Sequence, residues 1–281
     1  MLRIDSHQHF WKYDPVRYDW IDDSMSVIQE NFLPEDLDPI LKANDFDGCI
    51  TVQSHQSEEE NKFQLANADQ HSFIKGVVGW VDLQSPEIEN RLDYYQQFKK
   101  LKGFRHVLQG EAQRDFMLRP DFLKGIGLLK KYDYTYDILI LPDQLKYTAE
   151  FVAQFPDQRF VIDHIAKPNI KQQELKDWEK GMKTIAAFEN VYCKVSGMVT
   201  EADWQNWQSA DFNNYLEVVT DSFGTGRLMY GSDWPVCKVA ADYEQVVNIV
   251  KNYFRLLAKQ NNKFFLAVMP LSFIIYKICK H

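Results

Sequence analysis

Residues 4–11 read IDSHQHFW: an apolar start, an acid, two histidines one residue apart, then aromatics. On an extended strand successive side chains alternate faces. Asp5, His7 and His9 are therefore expected on one side, and Leu2, Ile4 and Phe10 on the other. A strand with a polar inner face suits a site rather than a core. The turn after this strand bears on the fold as well. An open, doubly wound sheet favours a glycine-rich phosphate turn at this point, and HQHFW has no glycine.

Further along the chain, apolar β-branched runs recur at 2–7, 48–53, 74–82, 101–108, 135–141, 159–164, 191–196 and 227–232. Helical patterns lie between them, as at 87–100 and 143–155. Such alternation implies right-handed βαβ crossovers and a parallel sheet. With no phosphate turn, the sheet is expected to close into a single (β/α)8 TIM barrel, for which 281 residues is an ordinary length. No linker, low-complexity segment or internal repeat divides the chain. The long connection over residues 10–34, containing WKYDPVRYDWIDD, is expected to cap the end of the barrel where chemistry takes place.

Composition narrows the class. The chain is 45% hydrophobic and 26% charged, with a net charge of −8 and no lysine–arginine cluster, which excludes a phosphate-tracking, nucleic-acid-binding surface. Cys49, Cys193, Cys237 and Cys279 are scattered with no paired spacing, as in a reducing compartment. The first strand starts by residue 2 or 3, leaving no room for a signal peptide, so a cytoplasmic protein is expected. The apolar stretch at 264–276 is too short for a membrane span and is interrupted by Pro270.

In barrels of this kind chemistry sits at the C-terminal ends of the strands. The expected ends supply His7 and His9, Gln53 and His55, Trp80 and Asp82, Arg105 and His106, Asp137, Asp163 and His164, and Asp233. Several have ordinary explanations: Arg105 as a surface cation, Asp163 as a loop cap, Asp82 as a helix N-cap. Gln53, His55 and Asp137 read as structural or peripheral rather than catalytic, with Gln53 retained as a candidate substrate contact. The combination that signals chemistry is the HxH pair with His164 and Asp233, on strands 1, 6 and 8.

The segments DSHQHFW (5–11), GFRHVLQ (103–109), VIDHIAKP (161–168) and YGSDWPV (230–236) together resemble the amidohydrolase superfamily. Within it they resemble the metal-optional sugar lactonases. The resemblance runs to residue 265. It implies hydrolysis of a small sugar lactone, such as L-fucono- or L-rhamnonolactone. Asp233 is then the candidate base that activates water, and Arg105, His106 and His164 are candidate donors to the carbonyl oxygen. His7 and His9, with Asp233, would bind one divalent metal, zinc; without a metal they would hydrogen-bond the lactone and hold Asp233. Trp11, Trp20 and Trp80 are candidate walls for the sugar ring. Strand 5, YTYDILILP, lacks histidine and lysine, and Lys102 lies early in strand 4, so a two-metal site is not expected. The alternatives are a metal-dependent decarboxylase or hydratase of the same superfamily, and a non-catalytic sugar-binding barrel. Residues 266–281 depart from the ending such lactonases share, and a shifted reading frame restores it. The expected organisation is therefore a barrel over 1–265 and an atypical, frameshifted tail.

Overall fold

The computed structural model describes residues 2–260, with side chains through residue 257. The expectation for the 266–281 tail lies outside these residues. Eight strands form one parallel sheet in sequential order: β1 (Ile4–Gln8), β2 (Gly48–Val52), β3 (Ile74–Gly79), β4 (Leu101–His106), β5 (Thr135–Ile138), β6 (Phe160–Ile162), β7 (Val191–Val195) and β8 (Leu228–Tyr230). Each is followed by its helix: α1 (Pro34–Ala43), α2 (Glu58–Gln70), α3 (Ile88–Tyr95), α4 (Pro120–Leu129), α5 (Leu145–Ala153), α6 (Lys176–Ala186), α7 (Asn213–Phe223) and α8 (Tyr243–Gln260). The expected barrel is thus found. The strands are rich in Val and Ile because a parallel sheet wrapped in helices is buried on both faces.

The ring closes where β8 returns to β1. A parallel bridge joins Gln8 to Trp234, Asp233 N donates to His7 O at 2.8 Å, and His9 N donates to Trp234 O at 2.7 Å. Gly231 permits this approach, since a Cβ there would lie 2.6 Å from the Cβ of His7. Ile4, Ile50, Val52 and Val78 form a small apolar cluster of their own, apart from the large core that packs strands against helices. This cluster fills the part of the barrel interior on the N-terminal side of the site.

One expectation is corrected. Asp5 and His7 do not share a face, because β1 carries a bulge between Asp5 and Gln8: Ser6 and His7 of β1 stand opposite the single residue Ile50 of β2. The extra residue shifts the alternation by one step. Ile4 and His7 both turn inward. Asp5 turns outward, where its carboxylate accepts from Tyr243 OH of α8 at 3.0 Å and from Ser232 N at 3.0 Å.

Strands β6 and β8 are only three residues long, so Asp163 and His164 lie in a turn beyond the strand expected to contain them. Residues 9–33 fold back as a compact cap. Trp11 is completely buried against Tyr18, Trp20 and Phe32, and pairs its backbone with Phe32. Among the described residues no helix is long and apolar enough to cross a membrane.

Candidate active site

The bulge in β1, the turn after β6 and the turn after β8 bring four of the expected residues together. Ligand atoms of His7, His164 and Asp233 lie within 4.8 Å of one another. His9 Nε2 stands 3.3 Å and His7 Nε2 3.9 Å from Asp233 Oδ1. The His7 and His164 rings are 4.3 Å apart, and all four residues are buried. Neither Asp233 nor His164 turns away from the cluster, which is what a non-catalytic barrel would require.

His164 is placed by an unusual backbone. His164, Ile165, Ala166 and Lys167 have φ of 52°, 47°, 58° and 47°, four left-handed residues in a row. Such residues cost roughly 1–2 kcal/mol each without glycine, so other contacts must hold the turn. Trp178 Nε1 donates to Ile165 O at 2.7 Å, and Lys167 N donates to His164 O at 2.8 Å. Ser196 Oγ lies 2.9 Å from His164 Nδ1. Gly197, at φ 61°, leaves room for the imidazole: a Cβ there would sit 2.5 Å from His164 Nδ1.

The neighbours fix where protons sit. His9 Nδ1 is 2.8 Å from Val52 O, and a carbonyl only accepts, so Nδ1 carries a hydrogen, and Nε2 is the nitrogen that faces Asp233. Burial keeps His7 and His164 neutral, with pKa values well below the usual imidazole range. Burial would raise Asp233, but His164 and His9 outweigh it and hold the carboxyl below the usual range, ionised at neutral pH. Lone pairs and a carboxylate facing one another make a place for a cation or a shared proton. Imidazoles with a single carboxylate are also the donor set of catalytic zinc sites, so the residues present fit one divalent metal.

Beneath the histidines lies a layer of buried charge. Arg105 points inward from β4, with Nη1 3.1 Å from Asp163 Oδ2 and 3.3 Å from His7 Nε2, and Nη2 donating to Gln53 O. Lys194 points inward from β7, bonds Asp137 Oδ2, and lies 3.0 Å from Asp163 Oδ1. Burial would raise both carboxyls. Lys194, His7 and Arg105 hold Asp163 well below the usual range. Asp137 is pushed up to about 6, because burial and the Asp163 charge outweigh the pull of Lys194. Neither Lys194 nor Ser196 stands at an expected strand end with chemistry to its name, so both are additions from the structure. A signal for Lys194 does exist: in VYCKV (191–195) a lysine interrupts an apolar strand of a sheet expected to be buried on both faces.

Other expected site residues lie elsewhere. His106 follows the inward-facing Arg105 and therefore faces outward, stacked on Phe116 at 5.1 Å and edge-on to Phe122 of α4. Its Nε2 meets Glu111 Oε1 at 2.7 Å, and its Nδ1 accepts from Trp80 Nε1 at 3.4 Å. Neither His106 nor Trp80 is brought to the histidine cluster. Trp11 donates to Glu30 O within the cap, its ring 6.4 Å from His9. Trp20 is 39% exposed and bonds Ser54 O beyond β2. The Gln53 amide donates to Arg105 O at 3.2 Å.

The sequence and the fold are similar to those of known proteins. Residues 4–259 match the amidohydrolase family. The chain is 39% identical over 262 residues to an L-fucono-1,5-lactonase of Burkholderia multivorans, covering 90% of this chain and 88% of the relative. It is 35% identical over 242 residues to an L-fucono-1,5-lactonase of Burkholderia ambifaria, covering 86% and 83%. A crystal structure of an amidohydrolase from Burkholderia multivorans with bound zinc superposes with a TM-score of 0.90 at 37% identity, covering 99% of this chain and 97% of that one. The chain belongs to the amidohydrolase family and, within it, to the branch that contains these lactonases.

Proposed function

We propose that this protein hydrolyses a sugar-derived lactone of the L-fucono-1,5-lactone type, with Asp233 as the base that activates water. The observation that carries this reading is an Asp233 carboxylate held ionised among three buried histidines, in a chain 39% identical to an L-fucono-1,5-lactonase. Opening a lactone needs an activated water and a partner for the oxyanion that forms at the carbonyl carbon. Asp233 orients the water and takes its proton. His9, anchored on Val52 O, keeps the carboxylate aimed. The hydroxyl of Ser196 can donate to or accept from Nδ1 of His164. His164 can therefore present either an N–H to the oxyanion or a lone pair to a metal. That versatility suits a site able to work in both states.

His7, His164 and Asp233 would hold a zinc ion, which when bound polarises the carbonyl and acidifies water. Arg105, tied to Asp163 and His7, neutralises the layer below rather than reaching the substrate. Trp20, half-exposed at the cap, is left as the aromatic surface for the sugar ring. The test is a pH-indicator assay over L-fucono-1,5-lactone, other aldonolactones and a benzoate-type carboxylic acid, with and without chelator. Lactone turnover supports the reading. Chelator-sensitive decarboxylation with no lactone turnover overturns it.

A further inference from the structure

Lys194 is fully buried inside the barrel, between the carboxylates of Asp137 on β5 and Asp163 in the turn after β6. A buried ion pair is seldom the best stabiliser, because apolar residues of similar volume commonly serve as well or better. Its position points to another use. Lys194 lies 3.0 Å from Asp163 Oδ1, the same oxygen that faces His7 Nδ1 at 3.4 Å. The other oxygen, Oδ2, is held by Arg105 Nη1 at 3.1 Å. Asp163 is thus pinned at both oxygens by cations from two different strands, β7 and β4. It needs such pinning, since it leads directly into the left-handed turn at His164.

The two nitrogens of His7 then meet neighbours of opposite polarity. Nδ1 faces a carboxylate oxygen, which accepts. Nε2 faces the Arg105 guanidinium at 3.3 Å, which only donates. One tautomer satisfies both, with the hydrogen on Nδ1 and the lone pair on Nε2. We propose that Lys194 is a positioning residue: by fixing Asp163 it holds the His7 proton on Nδ1 and keeps the Nε2 lone pair on the side of Asp233 and His164. Without Lys194, Asp163 Oδ1 loses its fixed partner, the carboxylate is free to rotate off Nδ1, and His7 can take up the other tautomer. The effect on zinc and on turnover rests on the lactonase reading, whereas the tautomer does not.

The test labels histidine with 15N and records long-range 1H–15N correlations of the metal-free protein, with His7 assigned by its loss in His7→Gln. Wild-type protein is expected to show His7 protonated on Nδ1 alone. In the charge-balanced variant Asp137→Asn/Lys194→Met, with folding checked by circular dichroism, His7 is expected to populate both tautomers. Partners of this kind typically change metal affinity or activity by about 10–100-fold. Zinc affinity and kcat should fall within that range, with KM altered less than about threefold. Should the double variant not fold, Lys194→Gln, whose amide keeps a polar group in the space, is measured the same way. A wild-type His7 protonated on Nε2 overturns the proposal. So does a folded variant with wild-type His7 signals and zinc affinity. The spectra and the zinc titration use no lactone, so failure of the lactonase reading and failure of this one are separately visible.

Discussion

Asp233 and Asp5 show how neighbours decide what a buried carboxylate does. Asp233 has imidazole partners and stays ionised; Asn at this position keeps the shape but cannot take a proton from water. General-base assistance is typically worth ~10²–10⁴-fold, so Asp233→Asn should lower kcat by at least the smaller factor. KM should move far less, because the lost interaction belongs to the transition state. Steady-state kinetics on the lactone check this, and near-normal turnover would remove the mechanism. Asp5 has the opposite surroundings: burial outweighs its hydrogen bonds to Ser232, His7 and Tyr243 and pushes its pKa up to about 6 from 3.8. A carboxyl raised in the folded state binds its proton more tightly there than when unfolded. Its contribution to stability is therefore full below pH 3.8 and is lost as pH rises through 6. The shift corresponds to about 3 kcal/mol. Asn can accept from the same two N–H groups and donate to Tyr243 OH. The stability of wild type relative to Asp5→Asn should therefore fall by most of that amount between pH 4 and pH 8. Urea titrations of both proteins across that range measure it, and a flat difference would show that Asp5 is not strained by its charge.

Strands and turns are legible in the sequence to different degrees. All eight strands can be read because most are short apolar, β-branched or aromatic runs enclosed on both faces, and a helical pattern succeeds each. The bulge in β1 cannot be read. Strict alternation is the only rule available for IDSHQ, and a bulge depends on the partner strand, Cys49 to Thr51. His7, His164 and Asp233 are legible because polar residues closing apolar runs are rare. Lys194 and Asp163 require knowing which strands face one another across the barrel. The left-handed turn at 164–167 carries no glycine to announce it; the glycine that permits it, Gly197, belongs to the next strand's end. Gly197→Ala should push the His164 ring aside and force an alanine into positive φ. The expected cost is roughly 1–2 kcal/mol of stability, with a larger relative loss in zinc affinity and kcat. Calorimetric zinc binding beside a denaturation curve separates the two. Unchanged zinc binding in a destabilised variant would mean that His164 is placed by other contacts.

The barrel as a whole puts its chemistry on its own seam. Seven of the strand junctions are ladders of paired strands, whereas β8 meets β1 through the Gln8–Trp234 bridge and bonds from Asp233 and His9. The residues that close the ring are thus the residues of the site or their immediate neighbours, and damage to the seam should appear in activity as well as in stability. Two glycines make the comparison. At Gly231 an added methyl would meet His7 Cβ at 2.6 Å and Ser196 Cβ at 3.0 Å, so neither strand can absorb it without moving. Overpacking of this sort typically costs about 1–3 kcal/mol. At Gly127, on the exposed side of α4, an added methyl meets only the Phe155 ring at 3.5 Å, an ordinary contact. There alanine's helix propensity should add about 0.8–1 kcal/mol. Gly231→Ala is therefore expected to lose stability and most of its kcat together, and Gly127→Ala to gain stability with kinetics unchanged. Paired urea denaturation and lactone assays on the two variants decide the matter. If Gly231→Ala is destabilised yet fully active, the site does not depend on the seam that carries it.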